Sequence, residues 1–251
     1  TFSSRNNNKP LQFDLTTFSA PDGAKAIRMA RNWKQSQSTS KSTATLVQPA
    51  NAKARRSFVL DSHYQIEALA LPDINLFATG MDWLSKDQLA ICTYTGEVWI
   101  VENATGLVNQ MKFRRYARGM NEPMGLLVKD GKIHLSNKAE LTRLSDTDND
   151  GEADLFERVC SDWDYTGSYN SFSYGPVLDL KGNFVLANAG HAGHWAARHM
   201  GWALRISPGN DKAVPFASGF REPNGIGTYG PNRDLFVADN QGAWIGACKL
   251  N

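Results

Sequence analysis

Residues 117–126 read Ala-Arg-Gly-Met-Asn-Glu-Pro-Met-Gly-Leu, and residues 217–226 read Ala-Ser-Gly-Phe-Arg-Glu-Pro-Asn-Gly-Ile. A shorter copy of the same opening, Ala-Thr-Gly-Met, occupies residues 78–81. The interval between the two full copies leaves room for one more unit, which residues 174–187 supply as Tyr-Gly-Pro-Val-Leu-Asp-Leu-Lys-Gly-Asn-Phe-Val-Leu-Ala. Repetition of this kind is the sequence signature of a repeat architecture.

Each unit continues as an apolar strand, a turn, a second strand, a polar stretch and a third strand. In the first unit we expect strands at residues 81–84, 88–93 and 97–101, with turns at residues 85–87 and 95–96. Short strands that recur about every 40 to 50 residues predict an all-β chain of the β-propeller class. A β-sandwich is the alternative, but a sandwich does not require the repeated Gly-x-x-Glu-Pro-x-Gly motif.

About four blades are visible, and we assign the propeller domain to residues 58–251. A closed ring of four is one possibility. A larger ring that continues beyond residue 251 is favoured, because the last unit stops soon after residues 235–240 and would leave an open sheet edge. Strand-like sequence at residues 57–60 and 64–69 can contribute to another blade.

Residues 1–57 are predicted to form a basic, polar arm or linker. They contain ten Lys or Arg and two Asp, a net charge of +8 in a chain whose total is +2. Residues 22–33 are expected to form a short helix, because they carry a weak apolar stripe behind a capping Asp. No aromatic-interleaved or Gly-rich basic motif supports nucleic-acid binding, so we interpret the arm as a solvated tail.

The composition is that of a globular protein, with 251 residues of which 41% are hydrophobic and 21% charged. No run approaches the roughly 18 apolar residues of a membrane-spanning helix. The first residue is Thr and no apolar signal segment follows it, so we interpret the chain as a processed or excised piece. The three cysteines lack metal-binding or haem-attachment spacing, and free thiols are favoured over a single bridge.

Residues 146–157 read Asp-Thr-Asp-Asn-Asp-Gly-Glu-Ala-Asp-Leu-Phe-Glu, which matches the twelve-residue calcium-loop pattern. Side-chain oxygens fall at loop positions 1, 3, 5, 9 and 12, a backbone carbonyl falls at position 7, and Gly151 stands where the loop must turn sharply. The predicted Ca²⁺ ligands are Asp146, Asp148, Asp150, Glu152, Asp154 and Glu157. An ion-free acidic turn is the alternative, but its carboxylates would repel one another.

The sequence on either side of this loop argues against a helix-loop-helix calcium sensor. Residues 132–136 and 140–144 alternate apolar and polar side chains with the period of two that is typical of strands. Residues 154–159 are expected to form one helical turn that brings Glu157 back to the ion. We therefore predict a structural ion that pins a connection between strands.

Several of these segments together resemble a known family. They are Gly80-Met81-Asp82-Trp83-Leu84, Thr95-Gly96-Glu97-Val98-Trp99, residues 219–227 and residues 238–242. Over about residues 64–251 the chain resembles the membrane-bound dehydrogenase propellers of planctomycete-type bacteria, which are similar to soluble quinoprotein glucose and sorbosone dehydrogenases. The resemblance implies a six-bladed ring, bound Ca²⁺, pyrroloquinoline quinone, and a secreted or periplasmic, envelope-associated location. It also implies a carbohydrate substrate and a cytochrome c domain or protein as electron acceptor.

The resemblance also implies roles for individual residues. Arg221 matches the Arg of the family's Arg-Asn-Pro segment and is assigned to the catalytic and quinone-binding sets. Asn224, Asp239 and Asn240 are assigned to cofactor binding, and the last two follow a strand where propeller loops face the channel. The family's Asn is replaced by Glu222.

The family's basic His falls near Asn170, and an amide cannot act as a general base. A His cluster in a Gly-rich insertion, made of His191, His194 and His199, is therefore the candidate for a displaced base or a transition-metal site, and His191 and His194 are assigned to catalysis. Histidines that only pack a surface loop are the alternative. The Trp residues are expected mainly to pack the blades, with Trp163 and Trp195 as the better candidates for sugar platforms.

The leading hypothesis is a secreted, calcium-binding propeller that oxidises carbohydrate alcohol or aldehyde groups by hydride transfer to a quinone. The alternative is a non-catalytic propeller that serves as a binding or scaffold module in an electron-transfer or glycan-processing assembly. A lyase or hydrolase that uses the His cluster is a third hypothesis.

Overall fold

The computed structural model describes residues 76–190, 197–242 and 246–251, and the backbone of five short strands earlier in the chain. These strands are β1 (Phe2–Ser3), β2 (Pro10–Leu11), β3 (Leu46–Val47), β4 (Arg56–Asp61) and β5 (Tyr64–Ala68). The chain forms two compact units, Thr1–Thr43 and Ala44–Asn251. In the first unit β1 pairs antiparallel with β2. The helix predicted at residues 22–33 lies outside the described residues.

The second unit contains four successive antiparallel sheets, which are the blades of a β-propeller. Blade 1 consists of β6 (Ala78–Trp83), β7 (Gln88–Thr93), β8 (Glu97–Glu102) and β9 (Lys112–Arg118), with β3 on its outer edge. Blade 2 consists of β10 (Leu126–Lys129), β11 (Lys132–Ser136), β12 (Leu141–Ser145) and β13 (Leu155–Cys160). Blade 3 consists of β14 (Ser173–Leu178), β15 (Phe184–Asn188), β16 (Trp202–Ile206) and β17 (Ala213–Ser218). Blade 4 consists of β18 (Ile226–Tyr229), β19 (Asp234–Asp239) and β20 (Lys249–Leu250). Strands β4 and β5 form a separate two-stranded sheet.

The propeller predicted from the repeats is therefore confirmed, and residues 117–125 and 217–225 lead into the first strands of blades 2 and 4. The shorter copy at residues 78–81 differs, because it lies within β6 and Gly80 stands beside Gly125. Helical structure within the described residues is limited to one 3-10 turn, Val108–Gln110. No helix in that part of the chain is long and apolar enough to cross a membrane. The six-bladed ring and the boundary at residue 57 stay predictions. Strand β3 lies within residues 1–57, the predicted arm, and it pairs with β9 of blade 1, where Leu46 lies opposite Arg114.

One local prediction was wrong. Residues 154–159 do not form a helical turn, because Leu155–Cys160 is the fourth strand of blade 2. This strand pairs with β12, and Glu157 lies opposite Arg143. Exposed and partly buried side chains alternate along its first four residues, as expected of a sheet edge, and the ladder to β12 satisfies backbone groups that a helical turn would satisfy internally.

The core lies between the faces of successive blades. Side chains alternate along β7, so that Ala90 and Cys92 pack towards Leu126 and Leu135 of blade 2. Leu89 and Ile91 point to the opposite face and pack with other residues of blade 1. Blades 2 and 3 share a second core cluster, whose members are Leu141, Cys160, Trp163, Phe184, Leu186, Leu204, Ile206 and Ala213. The alternation of side chains along each strand therefore places successive residues on the two faces of a blade, where the core clusters form.

Glycines allow the innermost strands of the blades to approach one another. A Cβ added at Gly80 would lie 2.6 Å from the Cα of Gly125, and one added at Gly125 would lie 1.9 Å from the carbonyl oxygen of Gly175. Met124, which lies just before β10, and Tyr174 of β14 precede Gly125 and Gly175 and form a parallel bridge at the same level. Sterics at the propeller axis therefore require glycine at residues 80 and 125, whereas Gly225 of blade 4 has room for a Cβ and a φ of +137°.

Candidate functional site

The innermost strands of the four blades, β6, β10, β14 and β18, line a central channel that contains a cavity of about 390 Å³. Equivalent residues of the four repeats lie on its wall, namely Thr79, Met124, Tyr174 and Asn224. A concave site with several converging polar groups is the usual form of a small-molecule site. The sequence repeat thus places one residue from each blade around a shared cavity.

One end of this channel is marked by four buried polar residues, and we call that end the channel mouth. Each residue stands at or just beyond the end of a second strand, and they are Thr93, Asn137, Asn188 and Asp239. Pairings such as Ser173 with Asn188 place this level at the start of the inner strands. Burial of polar side chains here requires internal partners or a ligand.

The four residues differ in how their hydrogen bonds are satisfied. Asp239 accepts bonds from the backbone N–H groups of Arg221 and Glu222, at 3.0 and 2.7 Å. Thr93 accepts a bond from the backbone N–H of Glu97, at 3.1 Å. Asn137 donates to the Thr142 hydroxyl, but its oxygen has no partner among the described residues, and neither amide atom of Asn188 has one. The channel mouth therefore retains unused hydrogen-bonding capacity.

Glu122, in the Glu-Pro-x-Gly motif of blade 2, is held by two neighbours. The Tyr94 hydroxyl from blade 1 donates to Glu122 Oε1 at 3.1 Å, and the Lys138 ammonium pairs with Oε2 at 2.6 Å. The Lys138 side chain is only 9% exposed, and its ammonium lies 5.1 Å from the centre of the Phe172 ring. This cluster joins three successive blades and contains both charge and aromatic surface.

Glu222 occupies the matching position of blade 4 but has fewer partners. It is 8% exposed, its Oε1 lies 3.5 Å from the Tyr174 hydroxyl, and its Oε2 has no partner among the described residues. Burial raises the pKa of Glu222 to about 7, with the nearby Asp239 adding to the rise, while Arg221 and Tyr174 oppose it. Burial and the adjacent Glu222 carboxylate also raise the pKa of Tyr174.

The structure brings together four of the residues that were predicted to bind the cofactor or act in catalysis. Arg221 donates from its guanidinium to the carbonyl oxygen of Gln241 at 2.7 Å, and its backbone N–H donates to Asp239. The backbone N–H of Asn240 donates to the Glu222 carbonyl oxygen at 3.1 Å. Asn224 lies on the cavity wall. His191 and His194 lie outside the described residues.

The Asp-rich loop forms a separate candidate metal site in blade 2, between β12 and β13. Carboxylate oxygens of Asp146, Asp148 and Asp150 lie within 4.8 Å of one another. Two oxygens that share a Ca²⁺ ion at about 2.4 Å can be at most about 4.8 Å apart, so this spacing fits such an ion. Gly151 has a φ of +93°, which explains the glycine at the sharp turn.

The other predicted ligands have different positions. Both carboxylate oxygens of Glu157 accept bonds from Arg143, at 2.7 and 2.9 Å. Asp154 accepts bonds from the backbone N–H and the hydroxyl of Thr147, at 2.8 and 2.7 Å. The backbone N–H of Glu152 donates to the Asp150 carboxylate at 2.9 Å. The loop therefore gathers its first three acids, while Asp154 and Glu157 contact neighbours in the loop and sheet.

Sequence reasoning passed over Tyr94, Lys138, Tyr174 and Asn188, and it treated Glu122 and Glu222 only as members of a motif. The repeated Glu was visible in the alignment of residues 117–126 with residues 217–226. Its two copies differ only through their partners, which come from other strands. A comparison of Lys138 with Asn240, which hold equivalent positions after β11 and β19, would have provided the missing signal.

Three solved structures share this fold. An oxidoreductase of Thermus thermophilus, described as a glucose dehydrogenase, is 13% identical, with a TM-score of 0.55 over 70% of this chain and 62% of that chain. A structure of glucose dehydrogenase is 13% identical, with a TM-score of 0.53 over 82% of this chain and 63% of that chain. A gluconolactonase of Xanthomonas campestris is 15% identical, with a TM-score of 0.53 over 83% of this chain and 69% of that chain.

At these identities the similarity establishes the propeller fold. The chain spans 62% and 63% of the length of the two dehydrogenase structures. No protein-family model and no curated protein matches the chain.

Proposed function

We propose that the chain is a sugar-acting enzyme that binds its ligand at the channel mouth. The observation that carries the proposal is the set of buried polar atoms without partners among the described residues, on Asn137, Asn188 and Glu222. Such atoms are costly to bury, and a ligand rich in hydroxyl groups would satisfy them. The cavity of about 390 Å³, whose wall includes the Tyr174 that neighbours Glu222, falls within the usual size range of small-molecule sites.

Two further features support a carbohydrate as the ligand. Aromatic rings contribute to the same region, since Tyr94 and Phe172 pack edge to face with their centres 6.2 Å apart, and Tyr94 is exposed. Aromatic faces beside hydrogen-bonding groups suit a ring with apolar faces and polar edges. The solved structures with the same fold include a glucose dehydrogenase and a gluconolactonase.

Oxidation of a sugar hydroxyl or aldehyde with pyrroloquinoline quinone is the reaction implied by the resemblance. This quinone carries several carboxylates, so its site needs cations that are available to bind it. In the described part of the channel mouth, Lys138 is paired with Glu122, and Arg221 donates to the carbonyl oxygen of Gln241 beside Glu222. Arg221 has no carboxylate partner among the described residues, but one such cation does not match the several carboxylates of the quinone. The site therefore does not fit the quinone, and no step of the proposed reaction passes through it.

A Ca²⁺ ion in the Asp-rich loop is part of the same proposal, with a structural role. Asp146, Asp148 and Asp150 would supply side-chain oxygens, and the backbone carbonyl of Glu152 is the further ligand expected from the loop pattern. The charge of the ion would offset the repulsion among these carboxylates. Secretion to an envelope compartment and electron transfer to a cytochrome c domain or protein are proposals that rest on the resemblance.

The test is a sugar panel assayed in two ways with the whole chain. In one arm, a dye acceptor reports oxidation of sugars after reconstitution with the quinone and Ca²⁺. In the other arm, acid release reports opening of sugar lactones without any acceptor. Turnover in either arm supports a sugar-acting enzyme and distinguishes a dehydrogenase from a hydrolase.

Sugar binding without turnover in either arm would instead indicate the non-catalytic binding module. Absence of both binding and turnover would overturn the proposal. The Asn188→Ala variant serves as the matched probe of the site, because it removes two buried polar atoms without a partner among the described residues. We expect this variant to weaken sugar binding by about tenfold, the equivalent of one or two lost hydrogen bonds.

A further inference from the structure

The two glutamates of the repeated Glu-Pro-x-Gly motif provide an internal comparison within one protein. Glu122 and Glu222 each follow the repeated Gly by three positions and each lie beside a tyrosine of the preceding blade, Tyr94 or Tyr174. Glu122 is also paired with Lys138 at 2.6 Å. The equivalent of Lys138 in blade 4 is Asn240, so Glu222 has no lysine at this position.

The charged and titratable groups around Glu222 come from three places. Arg221 is its neighbour in the chain, but the guanidinium donates to the carbonyl oxygen of Gln241. Asp239 at the end of β19 is 2% exposed and has Lys249 of β20 at 3.9 Å. Tyr174 of β14 lies on the cavity wall. No ammonium or guanidinium among the described residues forms an ion pair with Glu222, whereas Glu122 has such a partner.

Burial without a paired cation favours the protonated form of a carboxyl group. Glu222 follows this rule, and its pKa of about 7 lies near neutral pH. A group that is about half protonated at the working pH can both accept and return a proton. Two chemically identical residues whose surroundings differ in this way have different roles.

We propose that Glu222 is the catalytic acid–base residue of the channel mouth and that Tyr174 is its positioning residue. This inference rests on the proposed function, because it assumes a sugar ligand in the channel. It assigns to Glu222 the proton transfer that the sequence assigned to His191 or His194. Oε2, which has no partner among the described residues, is the atom that would contact the ligand.

Glu222 can carry out both proton transfers that the opening of a sugar lactone by water requires. The Glu222 carboxylate accepts a proton from water while the water oxygen bonds to the lactone carbonyl carbon. The bond between that carbon and the ring oxygen then breaks, and Glu222 returns the proton to the ring oxygen. The product is the open hydroxy acid. The reaction needs no oxidant and no co-reactant other than water.

The first measurement is the titration of Glu222 itself, by NMR of carboxyl-labelled glutamate in the whole chain, with Glu222→Gln used to assign the signal. We expect a midpoint near pH 7. The Asn240→Lys variant would provide the lysine that blade 2 has at this position, and it should lower the midpoint by about two pH units. Gln241→Lys, which adds the same charge to the neighbouring exposed residue, is the matched control and should have a much smaller effect.

The second measurement is turnover of a sugar δ-lactone. Glu222→Gln should lower kcat by at least about 100-fold, and Asn240→Lys should shift the rising limb of the pH profile to lower pH. Tyr174→Phe should change kcat less than Glu222→Gln and should raise the Glu222 midpoint further, because it removes the hydroxyl that donates to the Glu222 carboxylate. A role limited to packing would leave the pH profile unmoved.

The outcomes separate the two proposals. A Glu222 midpoint near its ordinary value of 4.5, or full turnover in Glu222→Gln, would overturn the role of Glu222 while leaving the sugar-acting enzyme intact. Absence of lactone turnover in the unaltered protein would overturn the hydrolytic step, whatever the titration shows. A thermal melt of Glu222→Gln at pH 8 checks that this variant is folded.

Discussion

The guanidinium of Arg114 on β9 donates a hydrogen bond to the carbonyl oxygen of Gly151 in the Asp-rich loop. The backbone N–H of Ala153 donates to the Tyr116 carbonyl oxygen at 2.7 Å, so two contacts join β9 of blade 1 to a loop of blade 2. The acids of this loop therefore belong to a connection between blades. An ion bound there would hold two sheets in place as well as one turn.

Calcium should for this reason raise the thermal stability of the propeller. Ca²⁺ at about 100 times its Kd stabilises the folded state by about 2.7 kcal/mol. In a chain of this size that corresponds to a rise in Tm of about 5 to 10 °C, and a chelator should reverse it. Scanning calorimetry with and without Ca²⁺ measures the shift. The Asp148→Asn variant should lose this response to Ca²⁺. The control is Asp211→Asn, which changes an exposed acid elsewhere and should keep the response. An unchanged Tm on chelation would contradict the structural role.

Substitution at the axial glycines should destabilise the propeller. A Cβ in Gly125→Ala would lie 1.9 Å from the Gly175 carbonyl oxygen, so blades 2 and 3 would have to separate. We expect a loss of at least about 3 kcal/mol, measured by urea unfolding. Gly227→Ala is the control, because a Cβ there meets no atom within 4 Å. Equal stability of the two variants would show that the close approach of the inner strands is not required.

His134 should cause a loss of stability in acid. It is buried on β11 against Phe184, and burial lowers its pKa to about 4, helped by Arg143 and Lys129 and opposed by Asp130 and the Lys132 carbonyl. The folded state therefore binds its proton less readily than the unfolded state does. Stability should fall as the pH drops below about 6.5, with a loss of about 2 kcal/mol at pH 5. In His134→Gln this part of the pH dependence should be absent from urea titrations at pH 7 and pH 5.

Glu222 should have the opposite effect on stability. Its pKa is raised from 4.5 to about 7, so the folded state binds the proton more tightly than the unfolded state. The loss of folding stability that results from ionising the buried Glu222 is absent below about pH 4.5 and complete above about pH 7. Glu222→Gln should therefore gain stability relative to the unaltered protein as the pH rises from 5 to 8, by about 2 to 3 kcal/mol at most. A difference that is constant across this range would argue against the raised pKa.

The three thiols should differ in their reaction with an alkylating reagent. Burial raises the pKa of Cys92 to about 11, and Cys160 is also buried with a raised pKa, whereas Cys248 is exposed. Since the thiolate is the reactive form, Cys248 alone should be labelled in the native protein at pH 8. Mass spectrometry after peptide digestion measures this. Labelling of all three thiols in urea is the control, and native labelling of Cys92 would contradict its burial.

The repeats predicted the blades because each repeat is one supersecondary unit with its own turns and alternating side chains. The same local reasoning placed β11 and β12 before the Asp-rich loop. It failed at residues 154–159, where pairing with Arg143 across the sheet prevailed over a local helical turn. It also could not show that both oxygens of Asp239, a predicted cofactor ligand, accept backbone N–H bonds of the turn at Arg221 and Glu222.

The site itself was harder to predict, because its parts come from different repeats. Tyr94 and Glu122 are 28 residues apart, and Tyr174 and Glu222 are 48 residues apart. The preceding residues differ, Asn121 against Arg221, but an adjacent arginine favours the ionised carboxylate, so the local sequence does not point to a raised pKa at Glu222. The difference between them depends on whether Lys138 or Asn240 follows the second strand, and that requires knowledge of which strands are neighbours.

The pairing of β3 with β9 has a consequence for how the protein folds. Leu46 lies opposite Arg114, so the outermost strand of blade 1 comes from a part of the chain 68 positions before its partner. Blades 2 and 3 each close with strands that are consecutive in sequence, and such local contacts form quickly. Closure of the much longer loop at β3 has a larger entropic cost, so blade 1 should be completed last, after its first four strands have formed a template.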